Sequence, residues 1–256
     1  MRFGLEEIAQ MAGAAAPAGK NLQTRVEGYS IDSRTLRAGE LFFAVRGVRD
    51  GHEFTGAALE AGAAAAVVSR GLRRDVERLL LVPDPKAALQ QQAPQARQRW
   101  GGRVVAGTGS NGKTTTKEAV AALASSHFRV AKTEGNLNND LGLPLSLLRL
   151  DETAEVGVLE MGMNHAGELR ALAAIARPDV GVVTNVSAAH LEFFASVDQI
   201  ACAKRELIES LGPAGVAVLN ADDERVREFA AAHSGRVVTF GIEREAELRA
   251  VDVESL

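Results

Sequence analysis

Residues 107–114 read Gly107-Thr108-Gly109-Ser110-Asn111-Gly112-Lys113-Thr114. They match at every position a known pattern: a glycine, four residues of any type, and then Gly-Lys followed by Ser or Thr. In such loops the glycines let backbone N–H groups approach phosphate oxygens, the lysine adds a positive charge, and the hydroxyl can hold Mg²⁺. The stretch therefore predicts a phosphate-binding loop, and the alternative is a glycine-rich turn that binds nothing.

The residues on either side of this loop have the pattern that phosphate binding requires. Before it, Val104-Val105-Ala106 is a short apolar run typical of a buried strand. After it, the alanine-rich stretch from Thr115 to Ser125 predicts a helix whose N-terminus faces the loop and favours an anion there. This context favours phosphate binding over the glycine-rich turn.

Composition limits the kind of protein. The chain has 256 residues, 46% of them hydrophobic, and a net charge of −4. It can hold one large domain or two ordinary ones, and it lacks the basic excess of a nucleic-acid-binding protein. The single cysteine, Cys202, excludes an internal disulfide, and we expect it to be a small buried residue. Because no apolar leader or membrane-length span occurs, we expect a cytoplasmic protein with no membrane insertion.

The chain divides near residue 83. We predict that residues 1–83 form a small α/β domain, with helices over 5–11 and 54–61 and strands over 41–45, 63–69 and 79–82. Asp84 and Pro85 then signal the start of a helix that runs to Trp100. Residues 84–256 are predicted to form a central phosphate-loop domain.

From Arg103 onward apolar runs and helical patterns alternate, which predicts a mainly parallel, doubly wound sheet. The predicted strands are Val104–Ala106, Arg129–Ala131, Val156–Glu160, Val180–Thr184, Val216–Leu219 and Val237–Phe240. Polar residues follow the ends of several strands: the phosphate loop, Glu160, Thr184-Asn185, Asn220 and Asp222. Because ligands of open α/β sheets bind at the carboxyl ends of strands, we expect the site there.

Three further side chains have alternative interpretations. Glu160 is either a solvated strand end or, facing a phosphate loop, a metal ligand. By itself, His190 would more often be a surface or capping histidine. Lys204 lies in an apolar helical pattern, and from the spacing alone it would extend its ammonium group to solvent.

In order and spacing, the motifs of this chain resemble those of the Mur ligases, ATP-dependent enzymes that add amino acids to UDP-N-acetylmuramoyl peptides in cell-wall synthesis. Besides the phosphate loop, the matching motifs are Asp32-Ser33-Arg34, Asp50-Gly51-His52, Gly135-Asn136-Leu137-Asn138-Asn139-Asp140-Leu141-Gly142-Leu143-Pro144, Glu160-Met161-Gly162, Arg177-Pro178-Asp179, His190-Leu191-Glu192, Ala203-Lys204 and Asn220-Ala221-Asp222. The asparagine-rich block most resembles the member that adds D-alanyl-D-alanine to the UDP-N-acetylmuramoyl-tripeptide. The alternatives are a sister ligase for another amino acid, a binding fragment without turnover, and a generic phosphate-loop kinase or GTPase.

The resemblance implies a role for each matching residue. It implies that ATP is bound by Gly109, Ser110, Asn111, Gly112, Lys113, Thr114 and Thr115. It implies Mg²⁺ ligands at Thr114, Glu160, His190 and a Lys204 carbamylated by CO₂, with Lys113, His190 and Lys204 as catalytic residues. It implies that the UDP-peptide is bound by Ser33, Arg34, Gly47, Asp50, His52, Asn136 and Asn139.

The resemblance also implies a mechanism and a length. The peptide carboxylate would attack the γ-phosphoryl group of ATP, and the amine of D-alanyl-D-alanine would then displace phosphate from the acyl phosphate. Family members continue beyond residue 256, so we expect an incomplete central domain and no C-terminal ligase domain within this chain. We expect the protein to be a monomer.

Overall fold

The computed structural model describes residues 1–14, 24–71, 76–189 and 192–253. They form two compact units, Met1–Gly101 with Pro144–Glu152, and Gly102–Leu143 with Thr153–Leu256. The domain boundary at residues 83 and 84 stays a prediction, although the helix that follows it groups with the first unit.

The first unit contains a four-stranded parallel sheet in the order β1-β2-β3-β4. Its strands are β1 (Gly28–Ser30), β2 (Glu40–Phe43), β3 (Ala65–Val68) and β4 (Leu79–Leu81), and its helices are α1 (Leu5–Met11), α2 (Thr55–Glu60) and α3 (Pro85–Trp100). Consecutive residues of β2 and β3 are buried, as expected for a parallel sheet covered on both faces. The short strand β1 was not predicted from the sequence.

Helix α3 begins and ends as the sequence predicts. The Asp84 side chain accepts a hydrogen bond from the backbone N–H of Lys86, and Pro85 occupies the first turn. Gly101 ends the helix with φ of +69°, a left-handed conformation that glycine adopts readily.

The second unit contains a seven-stranded parallel sheet in the order β11-β10-β9-β8-β5-β7-β6. Its strands are β5 (Arg103–Thr108), β6 (Val130–Lys132), β7 (Val156–Glu160), β8 (Val180–Val183), β9 (Val216–Asn220), β10 (Arg236–Gly241) and β11 (Leu248–Arg249). All six strands predicted here are present, and β11 is an addition. The predicted α/β class with a parallel central sheet is confirmed.

Strand β5 lies between β7 and β8. The chain passes from β5 to the edge strand β6, returns to β7 and then crosses to β8, so its first crossover runs in the opposite direction to the later ones. Right-handed crossovers in opposite directions place the helices on opposite faces of the sheet. Those helices are α4 (Lys113–Ala124), α6 (Glu168–Ala176), α7 (Val197–Glu209) and α8 (Glu224–Glu228), while α5 (Gly142–Arg149) begins in this unit and continues into the first. The end of β5, which carries the phosphate-loop motif, is therefore flanked by the ends of β7 and β8.

Helix α7 shows where the sequence expectation failed. Its inner face buries Ile200, Leu207 and Ile208, but Cys202 is exposed, so the expectation of a buried cysteine is wrong. Among the residues that the structure describes, no helix is both long and apolar enough to cross a membrane.

Candidate active site

The phosphate-loop motif connects β5 directly to the first turn of α4. Gly112, the residue before α4, has φ of +76°, a conformation that would strain most other residues. The helix has 12 residues, and the free N–H groups and dipole of its first turn favour an anion beside Lys113, Thr114 and Thr115. The Lys113 ammonium group lies 3.0 Å from the carbonyl oxygen of Gly109 and therefore curls over the loop.

The segment after β8 holds one side of the loop. The backbone N–H of Ser110 donates to the Asn185 carbonyl (3.0 Å), and that of Asn111 donates to Asn185 Oδ1 (2.9 Å). The Thr184 hydroxyl donates to the Asn111 carbonyl at 2.7 Å. A Cβ atom added to Gly109 would lie 1.8 Å from Thr184 Oγ1, so only glycine fits against this segment.

A second set of bonds supports that segment from behind. Asn220 donates from Nδ2 to the Thr184 carbonyl (2.8 Å), and Asp223 accepts from the backbone N–H of Val186 (2.7 Å). Asp222 instead accepts from backbone N–H groups of the turn after β10, among them those of Ile242 and Arg244, and these bonds lower its pKa. The motif after β9 thus reaches the loop indirectly, by way of the residues after β8.

Glu160, at the end of β7, lies on the other side of the loop. Thr114 donates from its hydroxyl to Glu160 Oε2 at 2.8 Å, and Asn138 donates from Nδ2 to Oε1 at 2.8 Å. The carboxylate is only 2% exposed. A hydroxyl beside a buried carboxylate at a helix N-terminus is an oxygen donor set that suits Mg²⁺, whose other ligands would be phosphate oxygens and water.

Lys204 is buried, in contrast to the solvent-extended side chain that spacing alone favours. It is 2% exposed, and no hydrogen bond or ion pair among the described residues involves its ammonium group. Burial, together with the positive charge of Lys113, lowers the pKa of Lys204 to about 7. A substantial fraction of Lys204 is therefore a neutral amine near neutral pH.

The remaining predicted residues of this unit differ in their surroundings. Asn136 is exposed. Asn139 accepts at Oδ1 from the backbone N–H groups of Leu141 and Gly142, so its oxygen caps the start of α5. His190 lies outside the described residues. Within the described ranges, no group of three or more His, Cys, Asp or Glu side chains is arranged around a metal position.

Asn138 is the site residue that our sequence reasoning missed. It stands in the asparagine-rich block, but nothing in the spacing shows which of its asparagines faces Glu160. The two residues are 22 positions apart, and only the pairing of β6 with β7 brings their loops together.

In the first unit, Arg34 pairs with a neighbouring carboxylate. Its Nε and one terminal nitrogen lie 2.9 and 2.6 Å from the two oxygens of Asp32. This pairing lowers the pKa of Asp32 to about 2. Arg34 is nonetheless exposed, next to the half-buried Ser33.

The loop after β2 is organised by His52, which is buried. Its Nδ1 lies 2.6 Å from Asp50 Oδ1, and its Nε2 accepts from the backbone N–H of Ser69 at 2.9 Å, so the proton is on Nδ1. Asp50 also accepts from the Arg70 guanidinium at 3.0 Å. Gly47 is exposed in the same loop. These contacts make His52 a support of the loop, with its ring inside the fold.

Comparison with known families accounts for both units. A family model described as the Mur ligase middle domain matches residues 108–255, and one described as the Mur ligase family catalytic domain matches residues 25–96. The chain belongs to the Mur ligase family.

Individual proteins of this family are also similar to the chain. The UDP-N-acetylmuramoyl-tripeptide–D-alanyl-D-alanine ligase of Bacillus subtilis is 38% identical over 252 residues, which is 97% of this chain and 54% of that protein. A crystal structure of MurF from Acinetobacter baumannii superposes with a TM-score of 0.90 at 32% identity, over 99% of this chain and 56% of that one. The structure of MurF ligase from Thermotoga maritima in complex with ADP superposes with a TM-score of 0.76 at 37% identity, and the match covers 85% of this chain and 51% of that one. The chain spans about half the length of the curated relatives it matches.

Proposed function

We propose that this chain forms the ATP-binding and UDP-substrate-binding part of a ligase that adds D-alanyl-D-alanine to UDP-N-acetylmuramoyl-tripeptide in peptidoglycan precursor synthesis. The observation that carries this proposal is the pairing of Thr114 with the buried Glu160 at the end of a glycine-rich loop. The relatives named above, which carry this ligase name, support the choice of amine.

The loop and the start of α4 would bind the phosphates of ATP. The backbone N–H groups of Lys113, Thr114 and Thr115 in the first turn of α4 would face the anion, and Lys113 would leave its loop carbonyls to neutralise the β- and γ-phosphates. Thr114 and Glu160 would hold Mg²⁺. When bound, this ion neutralises charge between an anionic nucleophile and the phosphoryl group that it attacks.

The reaction would proceed in two steps. The terminal carboxylate of the tripeptide attacks the γ-phosphorus of ATP, and ADP leaves. The amine of D-alanyl-D-alanine then attacks the acyl carbon, and phosphate leaves while the amine loses a proton. Asn136, which is exposed and lies two positions before Asn138, would contact the substrate beside the γ-phosphate. Because the chain's groups do little covalent chemistry here, their main task is positioning.

Lys204 would act as a carbamate. Its neutral amine attacks the carbon of CO₂ and loses a proton, which converts a buried cation into an anion with two oxygens. An ammonium group that is 2% exposed and has no partner among the described residues is unfavourable, and a carbamate paired with Mg²⁺ would remove that penalty. His190 would join it as a metal ligand.

The first unit would hold the UDP end of the substrate. Arg34, oriented by Asp32, would face the diphosphate together with Ser33. The loop containing Gly47, Asp50 and His52 would complete this site, with His52 supporting it from inside. We assign UDP binding to residues 1–83 and ATP binding to residues 84–256. A cytoplasmic location and a monomeric state stay predictions.

The test uses the protein that carries this chain. It is incubated with ATP, Mg²⁺, UDP-tripeptide and a panel of amines, and the products are identified by mass spectrometry. We expect UDP-pentapeptide and ADP only with D-alanyl-D-alanine. Product with a single amino acid would instead identify a sister ligase, and ATP binding without product under any condition would contradict the ligase assignment.

A further inference from the structure

Asn138 occupies a defined position between two parts of the segment that follows β7. Its Nδ2 donates to Glu160 Oε1 at 2.8 Å, and its backbone carbonyl accepts from the N–H of Gly162 at 2.8 Å. The side chain and the main chain of Asn138 are therefore bonded to two residues that lie two positions apart in the segment at the end of β7. This arrangement fixes both the position and the orientation of the amide.

Gly162 makes room for this side chain. A Cβ atom added to Gly162 would lie 3.0 Å from Asn138 Oδ1 and 3.1 Å from its Cγ, closer than ordinary contact. Any larger residue at position 162 would push the amide away by a few tenths of an ångström. The glycine of the Glu160-Met161-Gly162 motif thus has a specific neighbour, which is Asn138.

The loop that carries Asn138 is anchored at its start. Thr133 is fully buried, its hydroxyl accepts from the backbone N–H of Glu160 (3.1 Å), and its carbonyl accepts from the Lys117 ammonium group (2.9 Å). Lys117 belongs to α4, the helix that begins at the phosphate loop. The loop is therefore held to α4 and β7 before the chain reaches Asn138, so the amide does not depend on substrate for its position.

Each oxygen of the Glu160 carboxylate accepts a hydrogen bond, one from a hydroxyl group and the other from an amide N–H group. Thr114, on Oε2, is a residue that we assign to the metal, whereas Asn138, on Oε1, offers an N–H group, which cannot bind a cation. A carboxylate held on one oxygen by an amide presents the other oxygen in one orientation. Hydrogen-bonded partners of this kind typically change metal affinity 10–100-fold when they are removed.

We infer that Asn138 is a positioning residue for the divalent cation: it orients Glu160 so that Oε2 faces Thr114, and Gly162 is required for it to do so. This inference rests on the proposed Mg-ATP site and adds two residues to it. Asn138 would act through Glu160, without touching the metal or the reacting atoms. Its loss should weaken metal binding and leave metal-free nucleotide binding intact.

The experiment titrates Mn²⁺ into the chain saturated with ADP and measures free Mn²⁺ by electron paramagnetic resonance. The variants are Asn138→Leu, which keeps the branched shape of the side chain and removes the donor, and Gly162→Ala. Asn164→Leu is the matched control, since Asn164 is an exposed asparagine on the same strand end and its side chain forms none of the bonds described. Calorimetry without metal measures ADP affinity, and circular dichroism checks folding.

We expect Mn²⁺ affinity to fall roughly 10–100-fold in Asn138→Leu and by a smaller factor in Gly162→Ala, with ADP affinity and the control unchanged. Wild-type Mn²⁺ affinity in folded Asn138→Leu would overturn the inference. If that variant does not fold, Gly162→Ala decides, and equal Mn²⁺ affinity there would overturn it as well. No metal binding in the unaltered chain would overturn the proposed function together with the inference, whereas equal binding in every variant would overturn the inference alone.

Discussion

The Thr114 hydroxyl donates to Glu160 Oε2 at 2.8 Å, although the two residues are 46 positions apart in the sequence. Thr114 lies in the first turn of α4 and Glu160 ends β7, and they meet because β5 and β7 are neighbours in the sheet. The pair links the phosphate loop to a buried carboxylate. Its charge and position suit a divalent cation next to bound phosphate.

Glu160→Gln removes the charge of this pair and preserves its shape. We expect Mg²⁺ to increase the nucleotide affinity of the wild type. In the variant this increase should be smaller by a factor of at least about ten, which corresponds to about 1.4 kcal/mol of binding free energy. Metal-free ADP affinity should not decrease, because in the proposed site the carboxylate would act on phosphate only through the cation. Calorimetry with and without Mg²⁺ measures both quantities, and Glu155→Gln, an exposed glutamate on the same unit, is the control. An unchanged Mg²⁺ effect would exclude Glu160 as a ligand.

Lys113→Ala should weaken ATP binding. Its ammonium group is held over the loop by backbone carbonyls, where it can reach phosphate. Loss of a charged hydrogen bond costs about 1.5–3 kcal/mol, which is roughly a 10–150-fold loss of affinity. The control is Lys132→Ala, because Lys132 forms a surface ion pair with Glu118 away from the loop. Equal ATP affinity in Lys113→Ala and wild type, measured by calorimetry, would contradict the assignment of Lys113 to ATP binding.

Lys204→Ala should abolish turnover in the protein that carries this chain. Short carboxylic acids such as acetate or propionate should restore part of it, since they can place an anionic oxygen where the carbamate would be. The measurement is phosphate release with and without added acid, with Lys132→Ala again as control. A Lys204→Ala protein with normal turnover would show that neither the amine nor its carbamate takes part.

Lys204 should also make stability depend on pH when CO₂ is excluded. Its pKa is about 7 in the folded chain and 10.5 for an unperturbed lysine, so between these values only the unfolded chain binds the proton. The free energy of unfolding should therefore rise with pH in this window, with a slope of up to about 1.4 kcal/mol per pH unit from this group. Below about pH 7 the slope should disappear.

The measurement for this prediction is urea unfolding of wild type and Lys204→Met between pH 6 and 9.5, values chosen around that window. The difference in stability between the two proteins isolates the lysine, because other titrations are common to both. Parallel pH profiles would mean that Lys204 keeps its proton inside the fold.

Arg34→Ala should weaken binding of the UDP-peptide and leave ATP affinity nearly unchanged. The guanidinium is exposed and oriented by Asp32, a geometry that suits a diphosphate. Arg37→Ala is the control, an exposed arginine three positions along the same segment. Both affinities are measured by calorimetry, and simultaneous loss of both would indicate a folding defect or a wrong location for the UDP site.

Much of this fold was predictable from local sequence patterns. The strands from Arg103 to Gly241 were predictable because each is an apolar run followed by turn residues and a helical pattern. The phosphate-loop motif was recognisable because its pattern places glycine and lysine at set spacing, and phosphate binding there stays a prediction. By contrast, β1 (Gly-Tyr-Ser) and β11 (Leu-Arg) contain no apolar run that could predict a strand, and they form by pairing with a neighbouring strand.

What the sequence determined by itself was therefore the family, the phosphate loop and the alternation of strands and helices, since all of these are encoded in short stretches. The tertiary structure decided that Asn138 is the asparagine that faces Glu160, that Lys204 is buried near Lys113, and that Cys202 is exposed. These properties depend on the strand order β8-β5-β7 and on which side of α7 packs inward. Periodicity shows that a helix has a buried face, but the exposure of a residue at its margin and the partner of a polar side chain are fixed only when distant segments pack together.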